Sequence, residues 1–100
     1  MALQYGRLHE RMGLVVKITL SDPNDPGIVE DGMTDNVSAE GARVCVSTAK
    51  QPGTLLSVYS PTHQLRSPAR VVYCERIPGD RFAVGLELQG LPVQWKKIGR

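Results

Sequence analysis

The nine residues Arg81-Phe82-Ala83-Val84-Gly85-Leu86-Glu87-Leu88-Gln89 decide the fold class. Phe82, Val84, Leu86 and Leu88 occupy every second position, with Ala83, Gly85, Glu87 and Gln89 between them. A β-strand sends successive side chains to opposite faces, so this spacing gives one apolar face and one face of small and polar residues. The same period recurs upstream. Ala42, Val44 and Val46 alternate with Arg43, Cys45 and Ser47, and Leu56 and Val58 alternate with Leu55, Ser57 and Tyr59. Residues 14–20 are apolar and β-branched around Lys17 and Thr19 and read as the first strand, with Ser21-Asp22-Pro23-Asn24-Asp25-Pro26-Gly27 as its exit turn. Residues 28–37 are a weaker strand, interrupted by Gly32 and expected to enter the sheet only near Met33. Residues 64–76 suit one bent strand, in which Pro68 lacks the ladder donor and is expected at an edge or a bulge. Ile77-Pro78-Gly79-Asp80 then turns the chain into the last strand.

Six such strands predict an all-β fold, a small six-stranded antiparallel β-barrel. At most, residues 92–98 add a short C-terminal helix with Pro92 in its first turn, leaving Val93 and Trp95 to cover a barrel end. The chain reads as a single domain over residues 1–100: a flexible arginine-containing leader at 1–13, the barrel at 14–91 and a tail at 92–100. With 41% hydrophobic and 22% charged residues the composition is that of a globular domain rather than a disordered segment. Apolar runs are short; Leu14-Val15-Val16 stops at Lys17, far from the ~20 residues of a membrane span. Arg7, Glu10 and Arg11 stand where a signal peptide would be apolar, so a cytoplasmic location and no membrane partner are expected. Cys45 and Cys74 lie in strand-like stretches and read as reduced thiols, and His9 and His63 show no ligand spacing to them, so no metal site is read.

The net charge of +2 conceals a segregation. Between Lys17 and Arg43 there is no basic residue but six acidic ones, Asp22, Asp25, Glu30, Asp31, Asp35 and Glu40, while the rest of the chain carries twelve basic residues and four acidic ones. A compact anionic ligand suits this distribution better than a long polyanion, whose phosphate track would meet the acidic stretch.

Two short patterns stand out. Arg7-Leu8-His9-Glu10-Arg11 sets two arginines four apart just before the first strand, and Asn36-Val37-Ser38-Ala39-Glu40-Gly41 enters the strand at Ala42. A guanidinium matches both a phosphate and the O6/N7 edge of guanine, and it stacks on a base. Asn36 and Ser38, two positions apart, project to the same side of a strand and offer an amide and a hydroxyl. Gly41 permits a turn or a close approach.

Together these residues resemble the PilZ domain, the bacterial receptor module for cyclic di-GMP, whose signature is an R-x-x-x-R leader followed by [D/N]-x-S-x-x-G. Arg7 and Arg11 match the first half; Asn36, Ser38 and Gly41 match the second after 24 intervening residues. Ala69-Arg70-Val71-Val72-Tyr73 and Phe82-Ala83-Val84-Gly85-Leu86-Glu87-Leu88 resemble the family's closing hairpin, so the likeness covers about residues 7 to 91. The resemblance implies a leader that folds over a ligand on the barrel's outside. Arg7 and Arg11 would engage phosphates and guanine Hoogsteen edges, Asn36 and Ser38 would meet the Watson–Crick side or the nucleotide backbone, and Gly41 would hold the turn. It implies a nonenzymatic receptor with cyclic di-GMP as ligand, no cofactor, and a protein effector as the second partner.

Rival readings are a PilZ-like adaptor acting by protein contacts without nucleotide, in pilus or flagellar function, and a small nucleic-acid-binding barrel. The latter needs stacking platforms, yet Tyr5, Tyr59, Tyr73, Phe82 and Trp95 are scattered, so no DNA or RNA partner is expected. An enzyme is disfavoured: Ser38 lacks a G-x-S-x-G setting, Asp22 and Asp25 sit in a Pro-rich turn, and no glycine-rich phosphate loop occurs.

Overall fold

The alternating apolar positions converge on one core. Ile18, Leu20, Val44, Val46, Val58, Val71, Val84 and Leu86 are all buried, contributed by strands around the full circumference of a barrel. The computed structural model describes residues 12–90 together with Val93 and Trp95. Arg7, Arg11 and the rest of the leader before Met12 lie outside the described residues. So does the helix expected over 92–98, apart from Val93 and Trp95, neither of which is helical.

The strands are β1 (Lys17–Asp22), β2 (Asp25–Ser38), β3 (Gly41–Val46), β4 (Leu55–Ser60), β5 (Leu65–Ile77) and β6 (Arg81–Leu88). They close in the order β1-β2-β3-β6-β5-β4, every neighbouring pair antiparallel. Closure removes the free edges that an open sheet would expose. It also fixes two ends. One, the leader end, gathers Met12, the β2–β3 turn, the β4–β5 turn and the last residues of β6; the other gathers the β1–β2 turn, the β3–β4 connection and the β5–β6 turn. Trp95 caps the leader end, buried, its indole N–H donating to the Ser38 carbonyl at 2.7 Å and its ring 5.4 Å from His63.

Three boundaries differ from the sequence reading. The first strand begins at Lys17 rather than Leu14, because a side chain occupies the place of the ladder over 14–16. The buried Thr34 hydroxyl accepts from the Val16 N–H at 2.8 Å and donates to the Leu14 carbonyl at 2.7 Å. The exit turn is not seven residues but two, Pro23-Asn24, tightened by the Asp22 carboxylate accepting the Asn24 N–H at 2.8 Å. The second strand therefore starts at Asp25, eight residues before the expected entry near Met33, and the ladder absorbs Pro26, Gly27 and Ile28 as an irregularity between Ser21 and Asp22.

Pro68 sits where β5 has run past the end of β6: its carbonyl accepts the Gln89 N–H at 2.8 Å, while Ser57 pairs it on the β4 side. A residue's N and C=O point the same way in a strand, so the missing donor faces Gln89, just past the end of the β6 ladder. The proline is thus at a local edge of a closed sheet. The bulge in β5 lies elsewhere, between Val71 and Tyr73.

Replacing Thr34 by Val keeps the volume but strips the Val16 N–H and the Leu14 carbonyl of their partner. A loss of about 1–3 kcal/mol is expected in chemical denaturation, with unchanged slope. An unmoved midpoint would show that this hydroxyl does not anchor the start of β1.

Candidate functional site

The second motif forms the β2–β3 hairpin at the leader end. Asn36 pairs with Arg43, Val37 with Ala42 and Ser38 with Gly41. The ladder slips between Thr34 and Asn36, making Asp35 an extra residue, so Asp35 and Asn36 follow one another on the outer side while Thr34 and Val37 stay buried. Asn36 and Ser38 share a side of the strand, as the alternation requires. Ser38 is less accessible than its sequence suggests, only 5% exposed beneath the Trp95 cap. Gly41 answers to packing: a Cβ there would stand 2.9 Å from the Leu86 carbonyl on β6, so the backbones approach too closely for any side chain.

The leader reaches this hairpin. Met12 forms an isolated antiparallel bridge with Val37, its N–H donating to the Val37 carbonyl at 2.7 Å and its carbonyl accepting the Val37 N–H at 2.9 Å. The residue that follows Arg11 is therefore clipped between Asn36 and Ser38. On the other side of the turn, the Val93 N–H donates to the Ala39 carbonyl at 2.8 Å.

From Asn36 an outward row crosses the barrel through Arg43 on β3, Gly85 on β6 and Tyr73 on β5. Tyr73 is on the outside because the β5 bulge makes Val72 an extra residue and turns two successive side chains outward. Its ring lies against Gly85, where a Cβ would collide with ring carbons, which explains why Gly85 is buried although it belongs to the outer face. Ala83, also expected to face outward, is likewise fully buried. Arg43 donates to Asp35 at 2.8 Å and lies 3.8 Å from Glu75. Burial opposes its charge but is outweighed by Asp35, by Tyr73 and by Glu75, which hold the guanidinium above its ordinary value. The face can therefore offer a flat ring beside an arginine already poised between carboxylates. Sequence reasoning passed over Tyr73 and Gly85; the signal was Val71-Val72-Tyr73, which breaks the alternation opposite a glycine. Elsewhere on the barrel, Arg66 lies 4.6 Å over the Tyr59 ring and Arg81 donates to the Cys45 carbonyl at 3.3 Å.

A concavity opens at the opposite end, a groove of about 460 Å³ lined in part by Leu20, Leu56, Ile28 and Val29. Lys50 and Glu30 pair at its side, and the Glu30 carboxylate also accepts from the Ser47 and Thr48 N–H groups at 2.8 and 3.2 Å and from the Thr48 hydroxyl at 2.6 Å. Burial alone would raise the Glu30 carboxyl, but the hydrogen bonds from Lys50, Thr48 and Ser47, with the charge of Lys50, hold it below its ordinary 4.5.

Fold and site thus define a small closed barrel that displays its polar groups on the outer face and around one end, with an interior filled by side chains. A family model for the PilZ domain matches residues 6–100, and the chain belongs to that family. Among solved structures, the Bacillus subtilis inhibitor of motility (MotI/DgrA) superimposes with a TM-score of 0.68 at 17% identity, over 83% of this chain and 42% of that one. The PilZ domain of CeSA from a cellulose-synthesizing bacterium gives a TM-score of 0.56 at 17% identity, over 80% of each chain. The chain thus spans less than half the length of the motility inhibitor, and at these identities the likeness is one of fold. No match is found among curated proteins.

Two outcomes check the packing. Gly85→Ala must displace the Tyr73 ring and is expected to cost about 1–3 kcal/mol. The cost should shrink in a Tyr73→Ala background, and an equal cost in both would separate Gly85 from Tyr73. Because the folded Glu30 carboxyl titrates below 4.5, its contribution is present above that pH and fades as pH falls through the lower folded value. Glu30→Gln should therefore destabilise at neutral pH, with the difference from wild type narrowing in acid.

Proposed function

We propose that this domain is a nonenzymatic receptor that binds cyclic di-GMP on its outer face at the leader end and passes the signal to a protein partner in the cytoplasm. The observation that carries the reading is the Met12–Val37 bridge. It holds Met12, the residue directly after Arg11, at the middle of Asn36-Val37-Ser38, which supports a site shared by the two halves of the PilZ signature. In this reading Arg7 and Arg11 take phosphates and guanine edges, and Asn36 and Ser38 address the base or the nucleotide backbone. Gly41 keeps β3 against β6 so that the hairpin holds its shape. The free, half-buried thiols of Cys45 and Cys74 suit a reducing compartment. The name of the motility inhibitor among the structural neighbours favours motility as the output, and an adaptor working through protein contacts alone is the second reading.

Calorimetric titration tests it, with GTP and a linear dinucleotide as controls. Cyclic di-GMP alone should bind, and Arg11→Ala should weaken it about ten- to hundredfold while the fold persists, as expected for a charge-assisted hydrogen bond of about 1.5–3 kcal/mol. A wild-type domain that ignores cyclic di-GMP would leave the adaptor reading in its place.

A further inference from the structure

The end of the barrel farthest from the motif sets two carboxylates on opposite sides of a tight turn. Asp22 and Asp25 are direct cross-strand partners, two like charges facing each other across the β1–β2 ladder. Each carboxylate is held by a turn, accepting the N–H of Asn24 at 2.8 Å and of Gly27 at 3.3 Å respectively, and among the described residues neither has a cationic partner. Beside them the hairpin exposes two β-branched side chains, Ile28 at 61% and Val29 at 57%, over the groove of about 460 Å³. Lys50, the cation in that groove, is matched by Glu30, and Lys17 is matched by Asp31 at 3.6 Å. Asp22 lines the groove and Asp25, its cross-strand partner, stands next to that lining, so the two carboxylates add negative charge at the rim.

We propose that this groove is a docking site for a protein partner that presents an apolar side chain on a basic segment. The apolar side chain fills the space between Ile28, Val29 and Leu56, and its basic neighbours offset Asp22 and Asp25. A concavity of this size admits one large side chain with room for its flanks, and a buried apolar anchor inside a charged rim is how small interfaces gain affinity. The site stands apart from any nucleotide at the leader end and does not depend on it.

The probe is a synthetic peptide, Lys-Arg-Leu-Trp-Arg-Lys, compared with a Ser-Ser version of its centre and with a version whose basic residues are all Glu. Backbone amide NMR should show the first peptide moving residues 20–30, 48–50 and 56, the Ser-Ser peptide leaving them in place, and the Glu peptide binding at least about tenfold more weakly, with the difference shrinking in high salt. The decisive variant is Asp25→Asn, which retains the bond to the Gly27 N–H. It should raise the denaturation midpoint of the free domain and weaken the basic peptide several-fold. The proposal is overturned if the Glu peptide binds as well as the basic one, which would mark a general apolar site. It also fails if the same amides move with protein concentration alone, which would mark a second copy, or if Asp25→Asn leaves the basic peptide unaffected.

Discussion

A six-stranded sheet that closes on itself leaves room inside for side chains and nothing else, and this chain fills that room with Ile18, Leu20, Val44, Val46, Val58, Val71, Val84 and their neighbours. Everything chemical is thereby forced to the outer surface or to the two ends. A strict two-residue alternation would make that surface uniform. Two extra residues, Asp35 in β2 and Val72 in β5, break it, and the breaks place Asp35 against Arg43 and Tyr73 against Gly85. The outer face around Asn36 and Arg43 is thus shaped by two local departures from the period that builds the core.

The core was legible in the sequence because it rests on that period: Ala42, Val44, Val46, Leu56, Val58, Val84, Leu86 and Leu88 all point inward as the alternation requires. The β2–β3 hairpin was legible because Asn36, Ser38 and Gly41 stand at fixed spacing before a clear strand. What alternation does not encode was missed. Asp25 to Gly32 contains a proline and two glycines, so its propensity is poor, and it is held in the sheet by pairing to β1 rather than by its own preference. Tyr73 was read as an ordinary strand residue because a bulge is visible only when the partner strand is in view. The close fits at Gly41 and Gly85 are contacts between strands distant in sequence, and no local pattern announces them.

The two ends are built for different tasks. At the leader end, main-chain bonds from Met12 and Val93 and the indole of Trp95 all converge on the residues from Val37 to Ala39, forming a dense cap. At the far end the β1–β2 hairpin is irregular, carries opposed carboxylates and exposes Ile28 and Val29. β2 is fourteen residues long and runs from one end to the other, so a single strand connects the two environments.

Met12 and Val93 bond to carbonyls only two residues apart, those of Val37 and Ala39. The polypeptide therefore enters and leaves the barrel at nearly the same point, like the two leads of a plug. A unit wired in this way can be spliced into a loop of a larger protein without forcing the host's ends apart.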